Sequence, residues 1–303
     1  MLDRFMSMQV FARVVAQGSF SGAARSLGLS QTMVTKHIAA LESRLGISLF
    51  HRSTRRLSLT EPGRLFLIRG QKILSDLEEM EQEVSAENQE PRGILRLNAP
   101  VSFAIRHVGP ILPEFSRRHP RVTVELGLDD RRIDPITEGW DLTLRIGRMP
   151  PSALRSRRLA QVDFVVCASP SYLEDCGTPQ TVAELQNHRC LGYTLGDEIS
   201  TARWSFGPNG ERTVPVSGPM HANNGDVLRE AAVAGQGIIY QPTFIVSDEL
   251  KSARLVSLPL DVPVMTGPEL HAVYAPTPHV PLKIRAMIDF LVRHYGPVPP
   301  WTI

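Results

Sequence analysis

The chain has 303 residues, 42% hydrophobic and 21% charged, with a formal net charge of +2; this is length for about two domains and enough apolar residue to pack them. No run approaches the ~20 apolar residues of a membrane span. The first residues, with Asp3 and Arg13 flanking the apolar positions and no small-residue cleavage site, do not read as a signal peptide, so a cytoplasmic protein is expected.

Residues 2–16 carry Leu2, Phe5, Met6, Val10, Phe11, Val14 and Val15 at spacings of three and four, which predicts an amphipathic helix ended by Gly18. Ser21 begins a short helix with Ala23, Ala24 and Leu27. Gly28 can take the left-handed turn that a β-carbon opposes. Ser30 then caps a third helix, whose buried stripe is Val34, Ile38, Leu41 and Leu45, stopped by Gly46. In "ISLFHRSTRRLSLTEPG", the runs Ile47–Phe50 and Leu57–Leu59 flank the basic tip His51–Arg56 and predict a small β-hairpin, a wing. Thr60 caps a long helix to about Asn88, with Glu61 and Pro62 in its first turn. Along it Phe66, Gly70, Ile73, Leu77, Met80 and Val84 alternate gaps of four and three. So narrow a seam needs a partner helix and predicts a dimer.

Charge follows the same division. Residues 1–72 hold eleven Lys/Arg against three acids, net +8; residues 73–92 are net −6; the remainder is neutral. A compact basic module points to an anionic partner. "NQEPRG" (88–93) reads as a hinge. Beyond it, strands alternate with helices. "ILRLNAP", "RVTVELGL", "DLTLRIG", "QVDFVVCA", "GIIYQ" and "ELHAVYA" read as strands. Residues 103–118 and stretches near 225–235, 243–250 and 281–295 read as helices. This pattern predicts two open α/β lobes with largely parallel sheets, "LAQVDFVVC" and "LHAVYAP" crossing between them. Cys167, Cys176 and Cys190 form no C-x-x-C pair and no zinc-like spacing with His. All three read as structural, Cys167 as a buried small hydrophobe.

Two helices joined by a three-residue turn form a helix-turn-helix, whose second helix enters the DNA major groove N-terminus first. Ala23 and Ala24 permit close approach, Gly28 makes the turn and Leu29 plugs the core beneath it. Gln31, Thr32, Thr35 and Lys36 are left facing outward: Gln can pair with adenine, Thr can meet a thymine methyl, and Lys can reach guanine or phosphate. Arg52, Arg55 and Arg56 lie on the wing, where phosphates or a minor groove would run.

The stretch "GSFSGAARSLGLSQTMVTKHIAALESRLGISLFHRSTRRLSLTEPG" (18–63) resembles the N-terminal domain of LysR-type transcriptional regulators. "NAPVSFAIRHVGPILPEFSRRHPRVTVEL" and "EGWDLTLRIG" are similar to the effector-binding domain of that family, so the likeness covers nearly the whole chain. It implies an α/β chain with a winged helix-turn-helix at 1–60, a linker and dimerisation helix with hinge at 61–92, and a two-lobed effector domain resembling periplasmic binding proteins at 93–303. It also implies double-stranded DNA as partner, a small-molecule effector between the lobes, and tetramers built as dimers of dimers. Gln31, Thr32, Thr35 and Lys36 match the base-reading segment of the family, and Arg52, Arg55 and Arg56 its wing. Thr32 stands where many members have Pro, Thr35 where Ser is frequent, and Lys36 where Arg is frequent.

Ligands of open α/β sheets bind at strand carboxyl ends. There Ser102 would offer a hydroxyl and backbone N–H groups to an anion, or serve as a plain helix cap; it matches the family's Ser/Thr effector position. Arg145, at the end of "DLTLRIG", could fork onto a ligand carboxylate or onto a neighbouring Asp. Asn223, Asn224, Gln241 and Thr243 resemble second-lobe pocket positions, and Tyr193 and Trp204 could form an aromatic wall or belong to the core. An anionic effector fits these candidates. No G-x-S-x-G, H-E-x-x-H, P-loop or G-x-G-x-x-G occurs, and the histidines are scattered. Neither catalysis nor a cofactor is expected. An exported solute-binding protein is disfavoured by the basic N-terminal module.

Overall fold

The computed structural model describes residues 2–51, 57–84, 90–131, 138–147, 149, 153–196, 199–277 and 280–302. Two compact units divide the chain: Met1–Glu90 with Thr137–Gly139, and Pro91–Ile136 with Trp140–Ile303.

In the first unit, α1 (Arg4–Gln17), α2 (Phe20–Leu27) and α3 (Gln31–Leu45) each end on a glycine in the left-handed region: Gly18, Gly28 and Gly46. Asp3 caps α1 by accepting from the N–H groups of Phe5 and Met6 at 3.2 Å. The helix expected from Ser21 begins at Phe20, because Ser19 is its cap and accepts from Gly22 N–H at 3.0 Å. Ser30 caps α3 through Met33 N–H. Val10, Phe11, Val14, Ala23, Ala24, Val34, Ile38, Leu41, Leu49 and Phe50 form one core. Each large apolar side chain buried there is worth about 1.5–3 kcal/mol. Leu45, expected in the buried stripe, is exposed at the last position of α3.

Among the described residues the wing shows one antiparallel bridge, Phe50 to Leu59, supported by His51 N–H to the Ser58 carbonyl; its tip, 52–56, lies outside the described residues. Thr60 caps α4 (Glu61–Val84) through Gly63 N–H at 3.0 Å. The helix was expected to reach about Asn88, but 85–89 also lie outside the described residues. Phe66, the first residue of the seam, packs edge-on against Phe11 at 5.4 Å instead.

The second unit holds two lobes. In the first, β1 (Gly93–Ala99), β2 (Val122–Leu128), β3 (Leu142–Ile146), β4 (Arg155–Gln161) and β12 (Glu269–Tyr274) form a sheet of order β2-β1-β3-β12-β4. In the second, β5 (Phe164–Ala168) lies between β10 (Ile239–Pro242) and β11 (Val256–Ser257). The short strands β6 (Gly192–Tyr193) and β9 (His221–Ala222) pair in parallel, and β7 (Arg203–Phe206) with β8 (Arg212–Pro215) makes a hairpin. The chain leaves the first lobe at β4–β5 and returns at β12, as "LAQVDFVVC" and "LHAVYAP" predicted.

The expectation of largely parallel sheets needs correction. β1 pairs in parallel with β2 and β3, but β12 is antiparallel to β3 and β4, and β5 is antiparallel to β10 and β11. Strands that enter from the opposite lobe have no crossover helix to turn them round, so they pair antiparallel. β4, "RSRRLAQ", was not foreseen, because its first four residues are exposed on a sheet edge and carry no apolar period.

Residues 101–118 were expected as one helix from Phe103. They run instead from Val101 as a helical turn, a π segment (Ala104–Val108), a 3-10 segment (Gly109–Ile111) and α5 (Leu112–Arg118). Pro110 and Pro113 have no N–H to give, so the i→i−4 ladder shifts register around them. The remaining helices are α6 (Pro170–Cys176), α7 (Gly225–Val233), α8 (Thr243–Lys251) and α9 (Leu282–Tyr295). Cys167 and Cys190 are buried. Burial raises both thiols, that of Cys190 to about 12. Cys176, which reads as structural in the sequence, is exposed at the end of α6.

Candidate functional site

The first candidate surface is the N-terminal half of α3. Gln31, Thr32, Thr35 and Lys36 are all exposed there, while Val34, His37, Ile38 and Leu41 on the same helix are buried. This division follows from helical geometry: the buried positions anchor one face, and the first-turn polar residues fall on the other. Thr35 Oγ1 donates to the Gln31 carbonyl at 3.0 Å, so its proton is spent within the helix. Its lone pairs and methyl group remain outward. The basic wing residues Arg52, Arg55 and Arg56 lie outside the described residues.

Two supports of this surface were not visible in the sequence. Ser7 donates its proton to the Asp3 carbonyl at 2.7 Å, which leaves its oxygen to accept from His37 Nδ1 at 3.0 Å. This buried link ties α1 to α3. Glu42 Oε1 accepts from the N–H groups of Leu49 (2.6 Å) and Phe50 (3.3 Å), so the back of α3 holds the wing strand in place. Both pairs join residues that only the tertiary fold brings together.

The second candidate lies where the lobes meet. Ser102 is 5% exposed, directly after β1. Asn224 caps α7 in the other lobe: its Oδ1 accepts from Asp226 and Val227 N–H, while its Nδ2 points at Ser102 Oγ, 3.5 Å away. Asp130, just past the end of β2, accepts from Val101 N–H at 2.9 Å. Burial raises the Asp130 carboxyl above the ordinary carboxylate range. Arg106 crosses the same seam, Nε to Asp226 Oδ1 at 2.8 Å, and Asp226 is also held by Arg229 at 2.7 Å. Gln241 is buried beside Gly225, where an added Cβ would lie 2.9 Å from Gln241 Oε1. Thr243 is buried too, with a hydroxyl that has no partner among the described residues. Asn223 is exposed beside them.

The structure thus brings Ser102 and Asn224 together across the lobes and sets Gln241 next to the start of α7. Arg145 lies elsewhere in the sheet, opposite His271 in the β3–β12 ladder, and is already partnered. Tyr193 is half-buried. Trp204 is a core residue, 0% exposed and packed edge-on to Tyr240 at 5.7 Å, so it forms no pocket wall. Asp130 carries a signal of its own in the sequence: "DD" after a strand stands where α/β sheets bind ligands.

Beneath the seam, Phe244 of α8 packs among Phe103 (5.3 Å), His107 (6.0 Å) and Trp301 (6.4 Å). His107 Nε2 donates to the Phe244 carbonyl at 3.0 Å. Burial lowers the pKa of His107 below the ordinary 6.5, so the unfolded chain binds this proton more readily. Its stabilising contribution is complete above pH 6.5 and is lost as pH falls from there through the lowered folded value. Urea unfolding of the effector unit should therefore show a smaller loss between pH 7.5 and 5.5 in His107→Gln than in the unmutated chain; equal losses would refute this.

A helix-turn-helix with an exposed polar first turn, followed by two α/β lobes with a polar seam, is the architecture of a ligand-responsive DNA-binding regulator. The family description "Bacterial regulatory helix-turn-helix protein, lysR family" matches residues 5–64, and "LysR substrate binding domain" matches residues 88–296. The chain belongs to the LysR family of transcriptional regulators. It is 33% identical over 289 residues to the HTH-type transcriptional regulator CrgA of Neisseria meningitidis, covering 95% of this chain and 96% of that one. It is 31% identical to DmlR of Escherichia coli, over 95% and 94% of the two chains. The solved structure of CrgA aligns with a TM-score of 0.63, 98% of this chain and 100% of that one. Full-length AphB of Vibrio cholerae aligns with a TM-score of 0.60 at 27% identity, over 97% and 100%.

Proposed function

We propose that this chain is a cytoplasmic, non-enzymatic regulator that reads a specific operator through α3 and the wing, and whose DNA binding or bending is set by a small molecule held between its lobes. The proposed boundaries are 1–60 for DNA binding, 61–92 for the linker helix and hinge, and 93–303 for the effector domain. The carrying observation is the exposed set Gln31, Thr32, Thr35 and Lys36 on a helix whose other face is anchored. Arg52, Arg55 and Arg56 supply phosphate contacts. Ser102, Asn223, Asn224, Gln241 and Thr243 serve the effector, with Arg145 a more distant candidate. Ile73 and Met80 on α4 are exposed in the single chain, which supports pairing of α4 with a second copy and assembly to a tetramer. Among the described residues no helix is long and apolar enough to cross a membrane. An effector acts only through its differential affinity for two arrangements of the lobes.

The test is titration against DNA from upstream of its own gene, with random DNA as control, over a salt series. Clear preference, weakening as salt rises, is the expected result. Thr35→Ala should weaken the preferred operator more than random DNA, by about 1–3 kcal/mol of discrimination; equal losses on both would remove its base-reading role. Arg55→Ala should weaken both alike and lower the salt slope by ~1. An unchanged slope would take Arg55 out of the phosphate contacts.

A further inference from the structure

The neutral balance of residues 93–303 divides into two opposite halves. The first lobe, 93–161 with 268–303, holds fifteen Lys/Arg against nine Asp/Glu, net +6; the second, 162–267, holds six against twelve, net −6. Fourteen of the fifteen cations in the first lobe are arginines, and the one lysine, Lys283, is buried against Asp141 at 3.3 Å. Arg presents a planar fork of donors that fits phosphate, so an exposed surface of Arg without Lys points to that chemistry.

The structure gathers six of these arginines on the helical side of the lobe. Arg285 and Arg293 are exposed on α9, eight residues or ~12 Å apart at the helical rise, with Asp289 exposed between them. Arg117 and Arg118 are exposed at the end of α5, which lies beside α9: Phe115 meets Phe290 at 5.4 Å, and the Arg118 guanidinium stands over the Phe290 ring at 5.9 Å. Arg155 and Arg157 are exposed on the edge strand β4, opposite Tyr274 and Ala272 of β12. Opposite residues share a sheet face. Ala272 lies in the core with Ile284, Met287 and Leu291 of α9, so both arginines are on the face that α9 covers. Arg118 pairs with Glu114, whereas Arg117, Arg155, Arg157, Arg285 and Arg293 have no carboxylate partner among the described residues. From Ile284 to Tyr295 every large apolar side chain of α9 is buried or half-buried. The face therefore lacks the apolar centre of a protein–protein interface.

We propose that this face of the first lobe is a second DNA-contact surface, which takes the phosphate backbone beyond the segment read by α3 and reads no bases there. This rests on the reading of the chain as a DNA-binding regulator. DNA is favoured over a protein partner because protein–DNA interfaces are polar and strongly positive, as this face is. Joined to the helix-turn-helix in one chain, the face meets operator-bound DNA at high effective concentration, so individually weak phosphate contacts suffice. The net −6 of the second lobe repels the same phosphates, and the effector unit meets DNA by its first lobe.

The experiment measures the salt dependence of binding of the full-length chain to two duplexes, one limited to the operator and one extended on both sides by random sequence. Arg117→Gln, Arg285→Gln and Arg293→Gln together remove three unpaired cations from exposed positions and should leave the melting curve in place. At about 0.15 M salt they should weaken the long duplex about tenfold or more and lower its salt slope by about 2–3, at ~0.9 per phosphate. Binding to the short duplex should stay as it is. Arg203→Gln, at an exposed position of the second lobe, should change neither. An unchanged slope on the long duplex would overturn the proposal, as would equal losses on both duplexes or an equal effect of Arg203→Gln. A triple variant that keeps its slope but sediments as a smaller assembly assigns the face to the acidic lobe of a second copy, and overturns it too. Should the triple variant melt early, Arg155→Gln with Arg157→Gln carries the same expectation. If the unmutated chain does not prefer the short operator to random DNA of equal length, the regulator reading itself fails; the slope difference tests only this face.

Discussion

Replacing Phe244 with alanine is expected to cost the effector unit about 3–5 kcal/mol. The ring is 4% exposed and stands edge-on to Phe103 and His107, at 82° in both cases. Its removal leaves a cavity lined by aromatic faces that cannot close on it, because Phe103 is itself held by Tyr295 (5.6 Å) and Trp301 (5.4 Å). Phe244 belongs to the second lobe, while Phe103 and Trp301 pack on the first, so the deletion also loosens the lobes from each other. Denaturant unfolding of the full chain, with Phe244→Leu as a milder control, measures this. A loss below about 1 kcal/mol, the range of a well-tolerated swap, would show that the ring does not hold the lobes together.

Gly63→Ala is expected to unfold the DNA-binding unit selectively. A Cβ at Gly63 would overlap the Leu49 carbonyl, which accepts from Thr60 N–H at 3.0 Å. The obstacle is backbone, so no rotamer change relieves it, and the start of α4 must move away from the wing strand. A cost of 3 kcal/mol or more, at the upper end of overpacking, follows. Operator binding should disappear, and a melting curve should lose or lower one transition while the transition of the effector unit stays in place. Retained operator affinity would refute the close approach.

Local chemistry made the first unit legible. Gly18, Gly28 and Gly46 stand at helix ends that require positive φ, Ser30 and Thr60 have hydroxyls at cap positions, and Val34, Ile38 and Leu41 repeat at helical spacing. These signals act within a few residues, which is why the outward placement of Gln31, Thr32, Thr35 and Lys36 at the start of α3 is legible in the sequence. The lobes were legible as alternating strands and helices, and their crossovers as apolar runs. Strand direction was not, because an apolar run looks the same in a parallel and an antiparallel ladder.

The order of elements, the helix-turn-helix with its outward residues, and the change from basic module to neutral body follow from residue order alone. The tertiary structure alone decided which distant groups meet. It paired Ser7 with His37, and Glu42 with the wing strand. It moved Trp204 into the core and set Arg145 against His271. It also gave Val101 N–H to Asp130. Apart from the Glu42 bonds, which span seven and eight residues, each of these depends on a position tens of residues away, and hydrogen bonds and ion pairs act over a few ångströms of space without regard to sequence separation. A cap or a helical stripe is local and can be read along the chain; a contact between distant elements is set only when folding assembles them.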